Sequence, residues 1–212
     1  MSYFEPVFDF EERWSYVQKR IKKLQDNLEG LHDTHLTSED NIMLYTNIYN
    51  MCVAKGGYHV YEKYKKVIHE YISSTVLPSL QEKEDEVLLR ELLRRWSNHK
   101  TMTIRLSKFF LSLESFYLSG RRNVPSLQQT GFLSFYNLVC HENPLNRQVM
   151  EATLAMIDRK LVGETIDETL VKNILEFYLE IGERANKEEP KQFAETMMMK
   201  ANETYMSKLK IR

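Results

Sequence analysis

The groups in this chain that could hold a metal or carry a proton are six histidines, two cysteines and a scatter of carboxylates. His69-Glu70 and His141-Glu142 each begin like a zinc-protease helix. That chemistry needs a second histidine one turn further on, where this chain has Ser73 and Leu145. His32 and His35 are spaced to meet on one turn, but they stand in a polar, loop-like stretch with no cysteine nearby to complete a ligand set. Gly56-Gly57 is an isolated pair and not a phosphate-cradling loop, and no serine occupies a nucleophile-elbow setting. Glu188-Glu189 falls in a polar linker, where solvation keeps carboxylates ordinary. The expectation is a protein with no catalytic residue, no metal and no cofactor, and therefore not an enzyme.

What remains is binding, and the residue types suited to it are the aromatics, ten Phe and twelve Tyr. They are in excess at two places. One is Asn41–Cys52, where Leu44, Ile48 and Cys52 form one row at helical spacing and Ile42, Tyr45 and Tyr49 form the next. An apolar arc that wide is either sealed inside a bundle or packs on one side and offers the other to a partner. The other place is Phe116-Tyr117, followed by Arg121-Arg122. Tyrosine brings contact area at low entropic cost and arginine forms directional charge-assisted bonds, a pairing typical of interface anchors. Core aromatics beside a solvated arginine pair are the alternative.

The elements that must position these residues read as helices throughout. Seven glycines and five prolines in 212 residues leave room for long uninterrupted helices. The spacing predicts helices over about Asp9–Leu28, from Thr37 as N-cap to Gly56-Gly57, and over Tyr58–Leu77 with Pro78 ending or kinking the last. A fourth starts at the charge run Glu82–Glu86, a phase change near Ser97-Asn98-His99 predicts a break, and a fifth covers Thr101–Ser119. Leu127–Cys140, Asn146–Val162, Thr165–Ile181 (with Thr165 and Glu168 at capping-box spacing) and Lys191–Met206 complete the set. Met197-Met198-Met199 reads as adaptable core filler. The chain is all-α, suggestive of a helical repeat array.

Composition narrows the partners. Hydrophobic residues make up 42% and charged residues 28%, as in a globular protein, and the net charge is −1. Lys plus Arg number 18 against 17 Asp plus Glu before Val124, and 11 against 13 from there on, so neither half has the basic excess that nucleic-acid phosphates demand. No apolar run approaches membrane-spanning length, and Cys52 and Cys140 read as buried thiols of a reducing compartment. The expected setting is cytoplasmic and nuclear, with no membrane, nucleic-acid or small-molecule partner.

Several stretches carry a resemblance. Leu44-Tyr45-Thr46-Asn47-Ile48-Tyr49-Asn50-Met51-Cys52 resembles the second helix of the cullin N-terminal domain, approximately Leu-Tyr-Thr-x-(Ile/Val)-Tyr-Asn-x-Cys. Tyr61-Glu62-Lys63-Tyr64 with Tyr71-Ile72 looks like the family's third helix. The run Leu89–Lys100 is similar to the segment before the fifth helix in plant cullins of the SCF class. Gly163–Asp167 and Tyr178–Gly182 resemble the start and end of a helix in the second cullin repeat. The resemblance covers about residues 10–206. It implies tandem cullin repeats in an elongated helical-bundle stalk, with repeat one at 9–124 and a partial repeat two at 125–212.

By the same resemblance, helices two and five of repeat one bind the BTB/POZ-fold adaptor that carries F-box receptors in SCF-type ubiquitin ligases. The matching positions are Asn41, Ile42, Tyr45, Asn47, Ile48 and Asn50 on helix two, and Glu114, Phe116 and Tyr117 on helix five. Two departures stand out. Asn41-Ile42 replaces a common Tyr-Met, and Ser112-Leu113-Glu114-Ser115 replaces approximately Tyr-Leu-(Asp/Asn)-Arg. The family's C-terminal region, which binds the RING-box subunit, is not matched within these 212 residues. The expectation is a cullin-like scaffold that cannot complete a ligase alone. The alternatives are a non-catalytic helical protein with a decayed adaptor surface, or a decoy competing with complete cullins.

Overall fold

The structure is a computed structural model that describes residues 9–31, 35–141 and 144–209. Among these residues every regular element is helical, and no helix is long and apolar enough to cross a membrane. The arm expected at residues 1–8, the residues 32–34 that include His32, the pair 142–143 and the extreme end 210–212 lie outside the described residues.

Capping chemistry sets the first helices. α1 (Phe10–Leu28) starts where the Asp9 carboxylate accepts the N–H groups of Glu11 and Glu12 at 2.9 and 3.1 Å. α2 (Ser38–Lys55) starts with a reciprocal box in which Thr37 Oγ1 accepts from the Asp40 N–H and Asp40 accepts from the Thr37 N–H. It ends at Gly56, whose φ of 80° lies where a side chain would be strained. α3 (Gly57–Tyr71) begins at once. Pro78 neither ends this helical run nor simply kinks it: the chain widens into a π turn, Ile72–Val76, and continues as α4 (Leu77–Gln81). In that turn the Leu77 N–H reaches back to the Ile72 carbonyl, an i→i−5 bond that shifts the register just before the ring that has no N–H to give.

The break expected near His99 is absent. α5 (Asp85–Phe109) runs through it for 25 residues, and the interruption comes at Phe110 instead, succeeded by the short α6 (Leu111–Leu113) and a second π turn, Glu114–Leu118. The phase change marks a change of surroundings: residues of α5 up to His99 belong to one compact unit and those from Lys100 to another. α7 (Leu127–Phe135) also closes in a π turn, Tyr136–Cys140. α8 (Pro144–Leu161) opens with proline at its first position, where the missing N–H would have had no intrahelical partner.

The cap of α9 (Glu168–Ala185) is Asp167, whose carboxylate accepts from the Leu170 N–H, and not Thr165. Gly182 is not a helix stop either. It lies buried inside α9, where an added Cβ would sit 2.6 Å from Lys191 Cγ and 2.8 Å from the Lys187 carbonyl, so glycine allows α10 (Glu188–Leu209) to pack close. The helix ends four residues later at Asn186, in the left-handed conformation. Met197 is buried and Met199 is exposed.

The first compact unit comprises the chain to His69 together with Lys100–Gly131. Its core is built from Trp14, Val17, Ile21 and Leu24 of α1, Leu44, Ile48 and Met51 of α2, and Tyr64, Ile68, Leu106 and Phe110. Buried phenols are satisfied: Tyr64 Oη donates to the Leu127 carbonyl at 2.7 Å, and the Tyr61 and Thr130 hydroxyls bond at 3.0 Å.

The second unit comprises Glu70–His99 and the chain from Phe132 onward. Its centre is an aromatic cluster in which Trp96 meets Phe132, Phe135 and Phe177 at centroid distances of 5.7, 5.2 and 5.5 Å. Trp96 Nε1–H donates to Glu180 Oε2 at 2.8 Å, which gives the buried indole its polar partner. Along the chain the first unit ends at Gly131 and the second resumes at Phe132.

Candidate docking surface

The face expected to meet a partner is carried by α2, α6 and the π turn Glu114–Leu118, all within the first unit. α2 turns the row Leu44, Ile48, Met51 and Cys52 into the core and leaves the row beside it outside. Ile42 is 66% exposed, Tyr45 42%, Tyr49 40% and Val53 63%, and across from them Phe116 is 60% exposed. The rings touch in sequence: Tyr45 stacks on Tyr49 at 6.4 Å, and Tyr49 meets the edge of Phe116 at 5.7 Å. A strip of large apolar side chains that stays in water while its neighbours are buried is what interface anchors look like.

Tyr117 takes the inner place beside this strip. Half-buried, it meets Tyr61 at 5.8 Å and the exposed Tyr58 at 6.4 Å, and the Arg121 guanidinium lies over its ring at 4.3 Å. Gly57 makes this possible. A Cβ there would fall 2.1 Å from Tyr117 Cβ, so only glycine lets the start of α3 approach the ring. Tyr45 is thus linked to Phe116 through Tyr49, while Tyr117, next to Phe116 in sequence, makes its ring contacts with Tyr58 and Tyr61.

Three of the nine residues expected to meet a partner have other work. Ile48 has no exposure and is a core residue, since the arc is one residue narrower on the outside than the motif implies. Asn47 is 6% exposed: its Oδ1 accepts from Arg13 Nη1 at 3.0 Å and its Nδ2 donates to the Met43 carbonyl at 2.8 Å. The Glu114 carboxylate accepts the Leu127 N–H at 3.1 Å, satisfying a donor at the start of α7. Asn41, Ile42, Tyr45 and Phe116 are exposed, and Asn50 and Tyr117 are intermediate. Tyr49 and Val53, outside the nine, are also exposed along the row of Tyr45. Tyr49 was legible, because it stands four residues after Tyr45 on the row that does not contain Leu44 and Ile48.

The start of α2 is tied to α1 by ion pairs. Arg20 and Lys23 of α1 each reach Asp40 at 3.3 Å. The Thr37 N–H first, and then these two cations, hold the Asp40 carboxyl below the usual carboxylate range. Cys52, buried on the inner row, has its thiol pushed up by burial and is not poised to react.

Comparison with known proteins identifies the family. Residues 19–210 match the family described as the cullin alpha solenoid domain. The chain is 46% identical over 180 residues to Cullin-1 of Oryza sativa subsp. japonica, covering 83% of this chain and 24% of that protein. It is 35% identical over 199 residues to Cullin-like protein 3 of Arabidopsis thaliana, covering 94% of this chain and 77% of that one. Against Cullin-2 of Arabidopsis thaliana it is 37% identical over 173 residues, 79% of this chain and 23% of the relative. It thus spans about a quarter of the length of each of the two cullins named, and most of the cullin-like protein. Described residues whose regular elements are all helical, a second helix with one face in the core and one in water, and a family match over residues 19–210 lead to one statement: this chain belongs to the cullin family.

Proposed function

We propose that the chain is a cullin-type scaffold whose exposed strip on α2 and the π turn docks a BTB/POZ-fold adaptor carrying F-box receptors. The observation that carries this reading is the unbroken, solvent-facing contact path Tyr45–Tyr49–Phe116. Its docking set is Asn41, Ile42, Tyr45, Tyr49, Val53, Phe116 and the edge of Tyr117, with Asn47, Ile48 and Glu114 as its supports. Repeat one is assigned to residues 9–124 and repeat two to the chain after it, in the cytoplasm and nucleus. The role is non-catalytic, the strip offering contact area and shape.

The test is titration calorimetry of the folded chain with the adaptor. Binding in the micromolar range or tighter is expected, weakened by Tyr49→Ala. No detectable heat at tens of micromolar would remove the reading.

One observation favours a second reading, a worn adaptor face that binds weakly or acts as a decoy. Asn41 and Ser115 are both exposed where the resembling motif has Tyr and Arg, and Ser115 Oγ merely donates to the Leu111 carbonyl at 3.2 Å. Asn41→Tyr with Ser115→Arg restores affinity if wear is the cause.

A further inference from the structure

At the N-terminal end of the aromatic strip lies a cleft of about 380 Å³ within the first unit, lined by His35, Leu36, Asn41, Arg105, Lys108 and Phe109. Leu36 and Phe109 supply apolar wall. Asn41 presents an amide, and Arg105 and Lys108 present two cations; no carboxylate is among the lining residues.

Arg105 and Lys108 stand three apart on α5, so their charges are neighbours on one face and repel. Elsewhere on α5 the cations are answered: Arg90 by Asp167 at 2.7 Å, and Arg94 and Arg95 by Glu91, each at 2.7 Å. Neither Arg105 nor Lys108 has an ion pair among the described residues. The last carbonyls of α5 favour one cation in the final turn, which accounts for Lys108 but not for Arg105 with it. Two neighbouring positive charges beside an amide and a partly apolar wall form a receptor for an anion on a methylene stem.

We infer that this cleft is an anion subsite that takes the carboxylate of an aspartate or glutamate side chain presented by the protein docked on the aromatic strip. The inference rests on the docking reading for its partner, and on the cleft alone for its chemistry. Leu36 and Phe109 hold the stem, the Arg105 guanidinium and Asn41 amide pair with the two carboxylate oxygens, and Lys108 adds charge. Asn41 thereby has a function that an aromatic residue at its position would block.

The probe is glutarate, a carboxylate on a methylene stem, titrated into the full chain while NMR follows the Asn41 side-chain amide and Arg105 Hε. Saturable shifts centred on these two groups are expected, with affinity reduced about tenfold or more by Arg105→Glu with Lys108→Glu. The milder pair Arg105→Gln with Lys108→Gln reduces it without charge reversal. Tyr49→Ala with Phe116→Ala leaves glutarate binding unchanged, because it damages the strip and not the cleft. Shifts spread equally over other exposed cations, or surviving the charge reversal, or saturation by inorganic phosphate but not by glutarate, would overturn the assignment. If the adaptor binds and the Arg105/Lys108 variants leave its affinity intact, the subsite fails while the docking reading stands. If glutarate binds the cleft and the adaptor does not bind at all, the docking reading fails and the cleft's chemistry stands.

Discussion

The chain carries two aromatic assemblies of opposite fate. In the second unit, Trp96, Phe132, Phe135 and Phe177 close on one another until almost nothing remains exposed, and the one polar atom of the indole is satisfied by Glu180. In the first unit, Tyr45, Tyr49 and Phe116 meet at comparable distances yet remain in water. Ring-to-ring contact is thus no measure of burial. What separates the two is how many sides of the ring have neighbours: the first assembly is a cluster closed in three dimensions, and the second a single layer lying on a core.

The strongest test of that contrast is Trp96→Ala. It should cost about 3–5 kcal/mol of unfolding free energy in urea, because it opens a cavity and strands part of Glu180. A change below about 1 kcal/mol would mean that the cluster is not the keystone of its unit. Phe116→Ala should do the reverse, lowering adaptor affinity by about 2 kcal/mol in calorimetry while moving the urea midpoint little.

Glu91 sharpens the comparison through pH. Hydrogen bonds from Arg94, and then from Arg95, bring its carboxyl down to about 2 against partial desolvation. A folded value below the unfolded one contributes stability that is full above the unfolded range near 4.5 and is lost as pH falls toward 2. Acid titration monitored by circular dichroism should show a loss on the order of 1–2 kcal/mol across that window, absent in Glu91→Gln. The smallest effect is expected at the start of α2, where Thr37→Ala removes half of a capping box and should lower stability by about 1 kcal/mol by thermal melting.

The helices were legible in the sequence because apolar residues recur at helical spacing, and the caps at Thr37 and Gly56 could be read from residue type alone. The failures have a common cause. A π turn adds one residue without changing composition, so Ile72–Val76, Glu114–Leu118 and Tyr136–Cys140 leave no local sign beyond Pro78. The phase change at Ser97–His99 was real but reported a change of neighbours along an unbroken helix. Gly182 looked like a stop because glycine usually is one, and only the Lys191 side chain and the Lys187 carbonyl explain why it lies inside α9. At the candidate surface, the motif points to α2 but includes the buried Ile48 and omits the exposed Tyr49. It could not separate Ile48 from Tyr49, one residue apart, because an arc wide enough to have two apolar faces does not say which is turned inward.

The carboxylate of Glu114 bears on how any mutational survey of this surface is to be interpreted. Because it fastens the first amide of α7, its removal would loosen a joint two residues from Phe116. A variant at 114 that abolished complex formation would then report a displaced scaffold rather than a missing touch point. Only a survey that monitors amide exchange around Leu127 alongside affinity would tell these two lesions apart.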